Sequence, residues 1–380
     1  MTDSAAPARL PAAAPFWMSL GLLPLTALAA AWGGWWWLLL PLYAWYLTTA
    51  LDGILGLNDD NADPMTDARA LFWHRAVTIV WFPLQFAAIF GTIWYATRAD
   101  HLSGWEQLGL FLGIGVLSGT IGFVYAHELV HQKSPLERWL GDLLLASVLY
   151  SHFRTEHLLV HHAWVSTPRD AVSARYNEGF WHFFGRVLRD GPVSAWHAET
   201  RLLARAGRRP WDRRNPFWRY AALQGGMIAL ALMLGGVQGL ALFLCQAAVA
   251  VWQLEVVNYV EHYGLTRKYL GEGRYERILP RHSWNASHRA TSWLLINLQR
   301  HSDHHTRPDR RFPLLQTYSP DEAPQLPHGY PVMTILAMVP PWWRRRMNPR
   351  VRAWRRQFYP EITDWGPYDR GDLPMPRNAA

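Results

Sequence analysis

The sequence predicts an all-α integral membrane protein, with six transmembrane helices and a cytosolic helical cap. Three observations lead to this prediction. Long blocks of the chain contain no charged residue, nearly all Lys and Arg residues fall on one side of the predicted membrane, and most of the 17 histidines form tight groups near the ends of the apolar blocks. Each observation is taken in turn below.

The composition of the 380 residues excludes several classes of protein. Half of the residues are hydrophobic and 14% are aromatic, which excludes a disordered chain. The chain has one cysteine, Cys245. It therefore cannot hold a disulfide framework, a zinc site built from cysteines, an iron–sulfur cluster, or a fused rubredoxin-type electron carrier, which needs four cysteines.

The uncharged blocks predict the membrane spans. Residues 10–51, 76–97, 108–126 and 220–254 contain no Asp, Glu, Lys or Arg. One crossing of a bilayer needs about 20 apolar residues, so the first and last blocks are long enough for two crossings each. Glycine pairs at 33–34 and 235–236 mark the turns between them. The predicted spans are 15–32, 34–51, 76–97, 108–127, 217–234 and 237–260.

The basic residues predict the orientation of these spans. With the N-terminus in the cytosol, all but two of the 37 Lys and Arg residues lie on the cytosolic side, the exceptions being Arg98 and Arg219. The predicted cytosolic segments 127–216 and 261–380 complete one domain over 1–380, multi-pass in a bacterial inner membrane, with both termini cytosolic. Topology thus explains the net charge of +8, and no nucleic-acid partner is needed. Residues 139–153 are expected to form a re-entrant or interfacial helix.

Nine histidines form four groups at the predicted cytosolic ends of the spans. Within three groups, residues spaced i, i+3 or i+4 share one face of a helix, so each group is predicted to clamp one metal ion. The spaced pairs are His127 with His131, His157 with His161, and His301 with His304 and His305; His162 follows His161, and His262 ends the last span. A lone buried histidine is usually structural, but this clustering indicates a metal site.

Nine imidazoles are more than one ion needs. Two ions with four or five ligands each would use them all, so the cap is predicted to carry a histidine-rich dimetal site. Imidazole is a suitable ligand for Zn, Cu, Fe and Ni, and the ligand type alone does not choose among them. An all-nitrogen site with two ions and open positions favours iron and dioxygen.

Two other functions were weighed against this one. His127-Glu128-Leu129-Val130-His131 also matches the H-E-x-x-H motif of an intramembrane zinc metalloprotease, with Glu128 as general base. That function would leave seven clustered histidines without a role, and Asp52 precedes the motif rather than following it. A metal transporter would need polar residues through its spans, and the uncharged blocks lack them.

The four groups together resemble the integral-membrane alkane monooxygenase family, within the membrane fatty-acid desaturase/hydroxylase superfamily, whose pattern is HxxxH, HxxHH and HxxHH. The family-specific marks are Asn-Tyr-Val-Glu-His-Tyr-Gly-Leu at 258–265 and Leu-Gln-Arg-His-Ser-Asp-His-His at 298–305. The chain departs from the family at Gln132, where Lys is usual, and at 158–160, where the family has a polar, glycine-containing insert.

The resemblance implies an O₂-dependent hydroxylation of an unactivated C–H bond. The expected reaction turns the terminal methyl of an alkane or alkyl chain, drawn from the bilayer, into a primary alcohol. It would use two non-haem iron ions, O₂ as co-substrate, and electrons from a separate rubredoxin-type donor with its reductase. A fatty-acyl desaturase and an aryl-methyl hydroxylase remain alternatives on the same scaffold.

The resemblance also implies the site residues. The nine ligands would be His127, His131, His157, His161, His162, His262, His301, His304 and His305. Five polar residues adjoin them and are candidates to contact the metal or to accept hydrogen bonds from imidazole N–H groups: Asn258, Glu128, Glu156, Glu261 and Asp303. His282 and His288 are expected to be structural or to line the pocket. The arginines at 344–346 and 355–356 would dock an acidic electron carrier or anchor the protein to anionic membrane lipid.

Overall fold

The protein is helical apart from one short hairpin. A computed structural model describes residues 10–375, so the predicted cytosolic termini lie partly outside the described residues. The helices are α1 (Ala14–Trp32), α2 (Trp36–Leu55), α3 (Phe72–Ala96), α4 (Gly104–Val130), α5 (Pro135–Ala146), α6 (153–164), α7 (Phe180–Arg205), α8 (Phe217–His262), α9 (Arg289–Leu294), α10 (His301–Thr306), α11 (Tyr330–Ala337), α12 (Pro340–Phe358) and α13 (Gly366–Arg370). The antiparallel strands are β1 (Tyr269–Gly271) and β2 (Arg274–Tyr275).

Five of these helices are long and apolar enough to cross a membrane. They are α1, α2, α3, α4 and α8. Four coincide with predicted spans to within a few residues, whereas the predicted spans 217–234 and 237–260 both fall inside α8. Short 3₁₀ and π segments interrupt the first four helices without ending them.

The 46-residue helix α8 is two helical halves joined at Gly236. This residue has φ 60° and ψ −152°, which is not a helical conformation. A Cβ added at Gly239 would lie 2.7 Å from the carbonyl oxygen of Ala231. Residues eight apart on a straight helix lie about 12 Å apart, so the chain must fold back here. Helix α8 is therefore a helical hairpin, with its turn at the predicted glycine pair.

Helix α4 is the most enclosed of the five apolar helices, with 89% of its central window buried. Glycines allow its close packing on the second half of α8, because a Cβ added at Gly115 would lie only 2.5 Å from Cβ of Val249. Between the same helices, the Gln253 amide donates to the Gly115 carbonyl at 2.9 Å and accepts from Thr120 at 2.9 Å. The first histidine group therefore projects from the centre of the bundle.

The segment after α4 enters the bundle and leaves on the same side. Helix α5 has 12 residues and is about 18 Å long, too short to cross a bilayer. Its end is held by buried hydrogen bonds: Gln85 donates to the Ser147 hydroxyl at 3.1 Å, and Gln246 donates to the Ser147 carbonyl at 2.8 Å. The chain turns at Leu149, which has φ 56°. This arrangement agrees with the predicted re-entrant helix at 139–153.

Helices α9 to α12 cover the ends of the apolar helices where the histidines lie. The Asp52 carboxylate, near the end of α2, accepts a hydrogen bond from the Thr291 N–H at 2.9 Å and so ties α9 to the bundle. Trp343 of α12 is buried against Tyr259 at the end of α8, with ring centroids 5.2 Å apart. The cap is thus packed directly on the apolar bundle.

Candidate metal centre

The nine predicted histidines converge in one place, in two groups. In each group of four, the candidate ligand atoms all lie within 4.8 Å of one another. The first group is His127, His131, His157 and His304, and the second is His161, His262, His301 and His305. His162 joins the first group, because its Nε2 lies 3.0 Å from Nε2 of His157 and 3.0 Å from Nε2 of His304.

The two groups are neighbours. The ring centroids of His162 and His305 are 4.9 Å apart, and those of His157 and His161 are 5.3 Å apart. These contacts join one group to the other, so the nine rings form a single cluster with two centres. The cluster lies where α4, α6, α8 and α10 meet.

The second histidine group does not act as the single clamp that its spacing predicts. His157 and His161 are four residues apart, yet the structure places them in different groups. The cause is a π-helical turn over Glu156–His161, in which the chain needs more residues per turn than in an α-helix. Residues five apart then share a face, and His157 pairs with His162 instead.

The third group is also divided between the two centres. His301 and His305 lie in the same group, with their Nε2 atoms 3.0 Å apart, as the i, i+4 spacing on α10 predicts. His304 points to the other group. The prediction that all three residues clamp one ion is therefore wrong. Helix α10 and the π turn in α6 each contribute to both centres, which links the centres through the backbone.

The spacing of the nitrogens fits metal ligation. Neighbouring Nε2 atoms are 2.9 Å apart for His131 and His157 and 3.1 Å apart for His262 and His301. Two nitrogens that each lie about 2.1 Å from one ion are about 3.0 Å apart at a right angle and about 3.4 Å apart in a tetrahedron. In addition, Nε2 of His127 is buried without a hydrogen-bond partner. The donor set therefore fits ions with more than four positions better than tetrahedral zinc.

Burial keeps the imidazoles outside the apolar helices in the neutral form that binds metal. Burial and the neighbouring imidazoles lower the pKa of His157, His162, His301, His304 and His305 well below the usual range. The same causes lower the pKa of His131 to about 3, although the carboxylate of Asp309 opposes them. Neutral imidazole has a free nitrogen lone pair at physiological pH, so the cluster is prepared for cations.

Two carboxylates stand behind ligand candidates of the second centre. Nδ1 of His161 lies 3.0 Å from Oδ2 of Asp170, and Nδ1 of His301 lies 3.4 Å from Oε1 of Glu261. Asp170 is fixed by the Ser173 hydroxyl at 2.7 Å, and Glu261 by the Tyr330 hydroxyl at 2.8 Å. Such carboxylates orient an imidazole and increase its basicity. Glu261 was predicted from its place beside His262. Asp170 was missed because it lies nine residues from His161.

The other predicted polar residues have different partners. Glu128 accepts from Gln132 at 3.0 Å, and Asn258 donates to Glu255 at 3.1 Å. Asp303 accepts from Arg310 at 2.6 Å and from Tyr318 at 2.9 Å, which braces α10 rather than an imidazole.

Glu156 lies buried close to the second centre. Burial, together with the carboxylates of Asp170 and Glu255, raises the pKa of Glu156 well above its usual range. One of its oxygens is buried without a hydrogen-bond partner.

Neither His282 nor His288 belongs to the two groups. Nε2 of His282 lies 2.7 Å from the Tyr359 hydroxyl, and its Nδ1 accepts from the Leu279 N–H at 2.9 Å. His288 lies beside Gly329 and Asp52, between α2 and α11. The structural role predicted for His282 agrees with these contacts.

An apolar cavity leads from the bundle to the metal centre. It contains about 950 Å³ of space, including the open space at its mouth. His127, His157 and His301 line its inner end, while Trp45 and Trp252 line its wall among aliphatic side chains. Ile335, also in the wall, is 40% exposed. The cavity therefore joins both histidine groups to the apolar surface of the bundle.

The fold and the site define a helical protein with apolar helices long enough to span a membrane and a histidine cluster with two centres. Comparison with known proteins agrees: the sequence model of the fatty acid desaturase family matches residues 103–337. The chain is similar to alkane 1-monooxygenase 2 of Pseudomonas aeruginosa (39% identity over 84% of this chain and 85% of that protein) and to alkane 1-monooxygenase of Pseudomonas putida (33% identity over 89% and 85%). It also resembles the xylene/toluene monooxygenase hydroxylase component of Pseudomonas putida, at 28% identity over 67% of each chain.

The chain belongs to the fatty acid desaturase family and, within it, to the alkane 1-monooxygenases. The resemblance found in the sequence is thus confirmed.

Proposed function

We propose that this protein is a membrane di-iron monooxygenase that hydroxylates the terminal methyl of an alkane or alkyl chain to a primary alcohol. The observation that carries the proposal is the apolar cavity, whose inner end is lined by His127, His157 and His301. A saturated chain has no polar group for a protein to bind, so an apolar tube that ends at the metal ligands suits it.

The nine histidines would hold the two ions, and bound iron would supply the activation of O₂. Five imidazoles would serve the first ion: His127, His131, His157, His162 and His304. Four would serve the second: His161, His262, His301 and His305, with Asp170 and Glu261 orienting two of them. All nine ligands are neutral, so these carboxylates also offset the charge of the cations.

The cavity wall would select the substrate by shape. Burial of each CH₂ group contributes about 0.8 kcal/mol when the chain comes from water, but a chain dissolved in lipid has already left water. Trp45 and Trp252 stand edge to face across the wall, with ring centroids 6.3 Å apart. Their size would set the length of chain that fits with its methyl at the metal.

The membrane arrangement proposed is six spans, with the two halves of α8 as separate crossings. The hairpin at Gly236 supports this count. The excess of Lys and Arg in the connecting segments supports a cytosolic position for the metal centre, with both termini on that side of the inner membrane. A cytosolic metal centre would be reached by a rubredoxin-type donor and its reductase, which the single cysteine requires to be separate proteins.

The reaction is tested with purified protein in lipid, supplied with octane, NADH, a rubredoxin and its reductase under ¹⁸O₂. The proposal predicts 1-octanol that carries one ¹⁸O atom, and no product without O₂. An unlabelled alcohol, or turnover that continues without a reductant, would contradict it.

An aryl-methyl hydroxylase is the second candidate, because of the similarity to the xylene/toluene enzyme component. The desaturase alternative rests on the family model alone. Toluene and a fatty-acyl substrate in the same assay separate these functions: benzyl alcohol would indicate the first and an alkene the second. The zinc-protease function has lost its support, because both histidines of its motif belong to a larger group and Glu128 is bonded to Gln132.

A further inference from the structure

The histidine cluster approaches the protein surface at its first centre. His131 and His162 are half-buried, whereas the four histidines of the second centre are buried. Their rings are adjacent, with centroids 4.7 Å apart. Electron transfer between proteins weakens steeply with distance, so an electron carrier has its shortest path to the cluster at these two rings.

The surface beside these rings combines apolar and basic side chains. Leu159 is 38% exposed, and Ala163, which follows His162, is exposed as well. Next to Ala163, the Trp164 ring carries the Arg169 guanidinium over its face at 5.2 Å. This gives the surface a small apolar centre with a cation at its edge.

Further cations lie on the other side of the two rings. Lys133, two residues after His131, has a side chain that is 91% exposed, and Arg307, two residues after His305, is exposed. One acidic residue is present: Asp309, 63% exposed, lies 3.7 Å from Lys133. An ion pair so open to water is weak and is easily exchanged for another anion. The surrounding charge is therefore mainly positive.

We infer that the surface formed by Lys133, Leu159, Ala163, Arg169 and Arg307 is the docking site for a small acidic one-electron carrier protein. The inference rests on the proposed function, because the reaction R–H + O₂ + 2 H⁺ + 2 e⁻ → R–OH + H₂O needs two electrons from outside the chain. Two successive reduced carriers, each oxidised by one electron, would supply them at this face. An apolar centre with a charged rim is the kind of interface that short-lived redox complexes use.

This location differs from the one that the sequence predicts. The arginines at 344–346 and 355–356 lie on α12, which packs through Trp343 on Tyr259 and Tyr263. No histidine of the two centres takes part in those contacts. Arg355 is buried between the rings of Tyr176 and Trp365 and is not available to a partner.

The test compares two triple charge reversals that change the net charge equally. The first is Lys133→Glu, Arg169→Glu and Arg307→Glu; the control on α12 is Arg345→Glu, Arg346→Glu and Arg356→Glu. Binding is measured with a rubredoxin loaded with Zn²⁺, which cannot transfer electrons, on metal-free protein in lipid nanodiscs. The inference predicts about tenfold or weaker affinity for the first variant at low salt, near-unchanged affinity for the control, and a smaller salt dependence in the first variant only.

Equal losses in both variants, or a loss in the control alone, would overturn the inference. So would a first variant that keeps its rubredoxin affinity but binds less tightly to vesicles containing phosphatidylglycerol, which would assign the face to lipid. The three single reversals, checked by size-exclusion chromatography, separate a docking effect from misfolding. Product formation with dithionite and methyl viologen, which need no docking site, tests the proposed function independently: alcohol without a binding difference would refute only the docking face.

Discussion

Nδ1 of His161 lies 3.0 Å from Oδ2 of Asp170, and both side chains are buried. The two residues belong to different local structures, since His161 ends the π turn of α6 and Asp170 lies in the following loop. The Val172 N–H, at 3.0 Å, and the Ser173 hydroxyl hold the carboxylate in place. Asp170 thus sets the orientation of one imidazole of the second centre.

Replacement of Asp170 by Asn should weaken metal binding at the second centre. The amide keeps the size of the carboxylate but loses its charge, so the His161 ring is less basic and less firmly oriented. Loss of such a partner typically lowers metal affinity or activity about 10- to 100-fold. Metal affinity is measured by competition with a chelator. Asp321→Asn, at an exposed position, is the matched control. Equal affinity in both variants would show that Asp170 has no such role.

The histidines should divide by group when they are removed. His262→Ala should lower the iron content from two ions to about one per chain, because His262 belongs to the second centre only. His127→Ala should remove the other ion. Iron is counted by plasma mass spectrometry, with His197→Ala, a histidine outside both groups, as the control. Loss of both ions from either variant, at unchanged folding, would contradict two separable centres.

A larger side chain in the cavity wall should shorten the preferred substrate. Val257 lines the cavity and is half-buried, so Val257→Trp would fill part of its length. The ratio of turnover on hexadecane to turnover on octane should fall about tenfold or more, since small steric differences in an apolar pocket produce effects of this size. Val237→Trp is the control, because Val237 is 80% exposed and lies outside the cavity. An unchanged ratio would remove this cavity from substrate binding.

Asp303 should matter more for folding than for chemistry. Its buried carboxylate accepts from Arg310, Tyr318 and the Gln316 N–H, and so fixes α10, which carries three of the histidines. Asp303→Ala leaves the Arg310 charge without its buried partner, a change that costs about 3 kcal/mol of stability. The thermal unfolding midpoint in nanodiscs should fall, whereas the exposed control Asp309→Ala should leave it unchanged. Equal midpoints would assign Asp303 another role.

Much of the fold was readable from the sequence because the membrane imposes strong constraints. Uncharged blocks of about 20 residues predicted where α1 to α4 lie, and the glycine pair at 235–236 predicted the hairpin in α8. The convergence of nine histidines followed from their spacing and their place at the ends of the spans.

The division of the histidines between two centres could not be read in the same way. Spacing arguments assume α-helical geometry, and the π turn at Glu156–His161 breaks that assumption for His157 and His161. Asp170 was invisible for a related reason, because a loop that follows a short helix can place a side chain anywhere. Contacts that depend on tertiary folding carry no local signal in one sequence.

The most direct test of the two-centre account is the iron content of the purified protein, joined to iron X-ray absorption. The account predicts two iron ions per chain, each surrounded by nitrogen ligands at about 2.1 Å. A single ion per chain, or a site held by three histidines only, would contradict it.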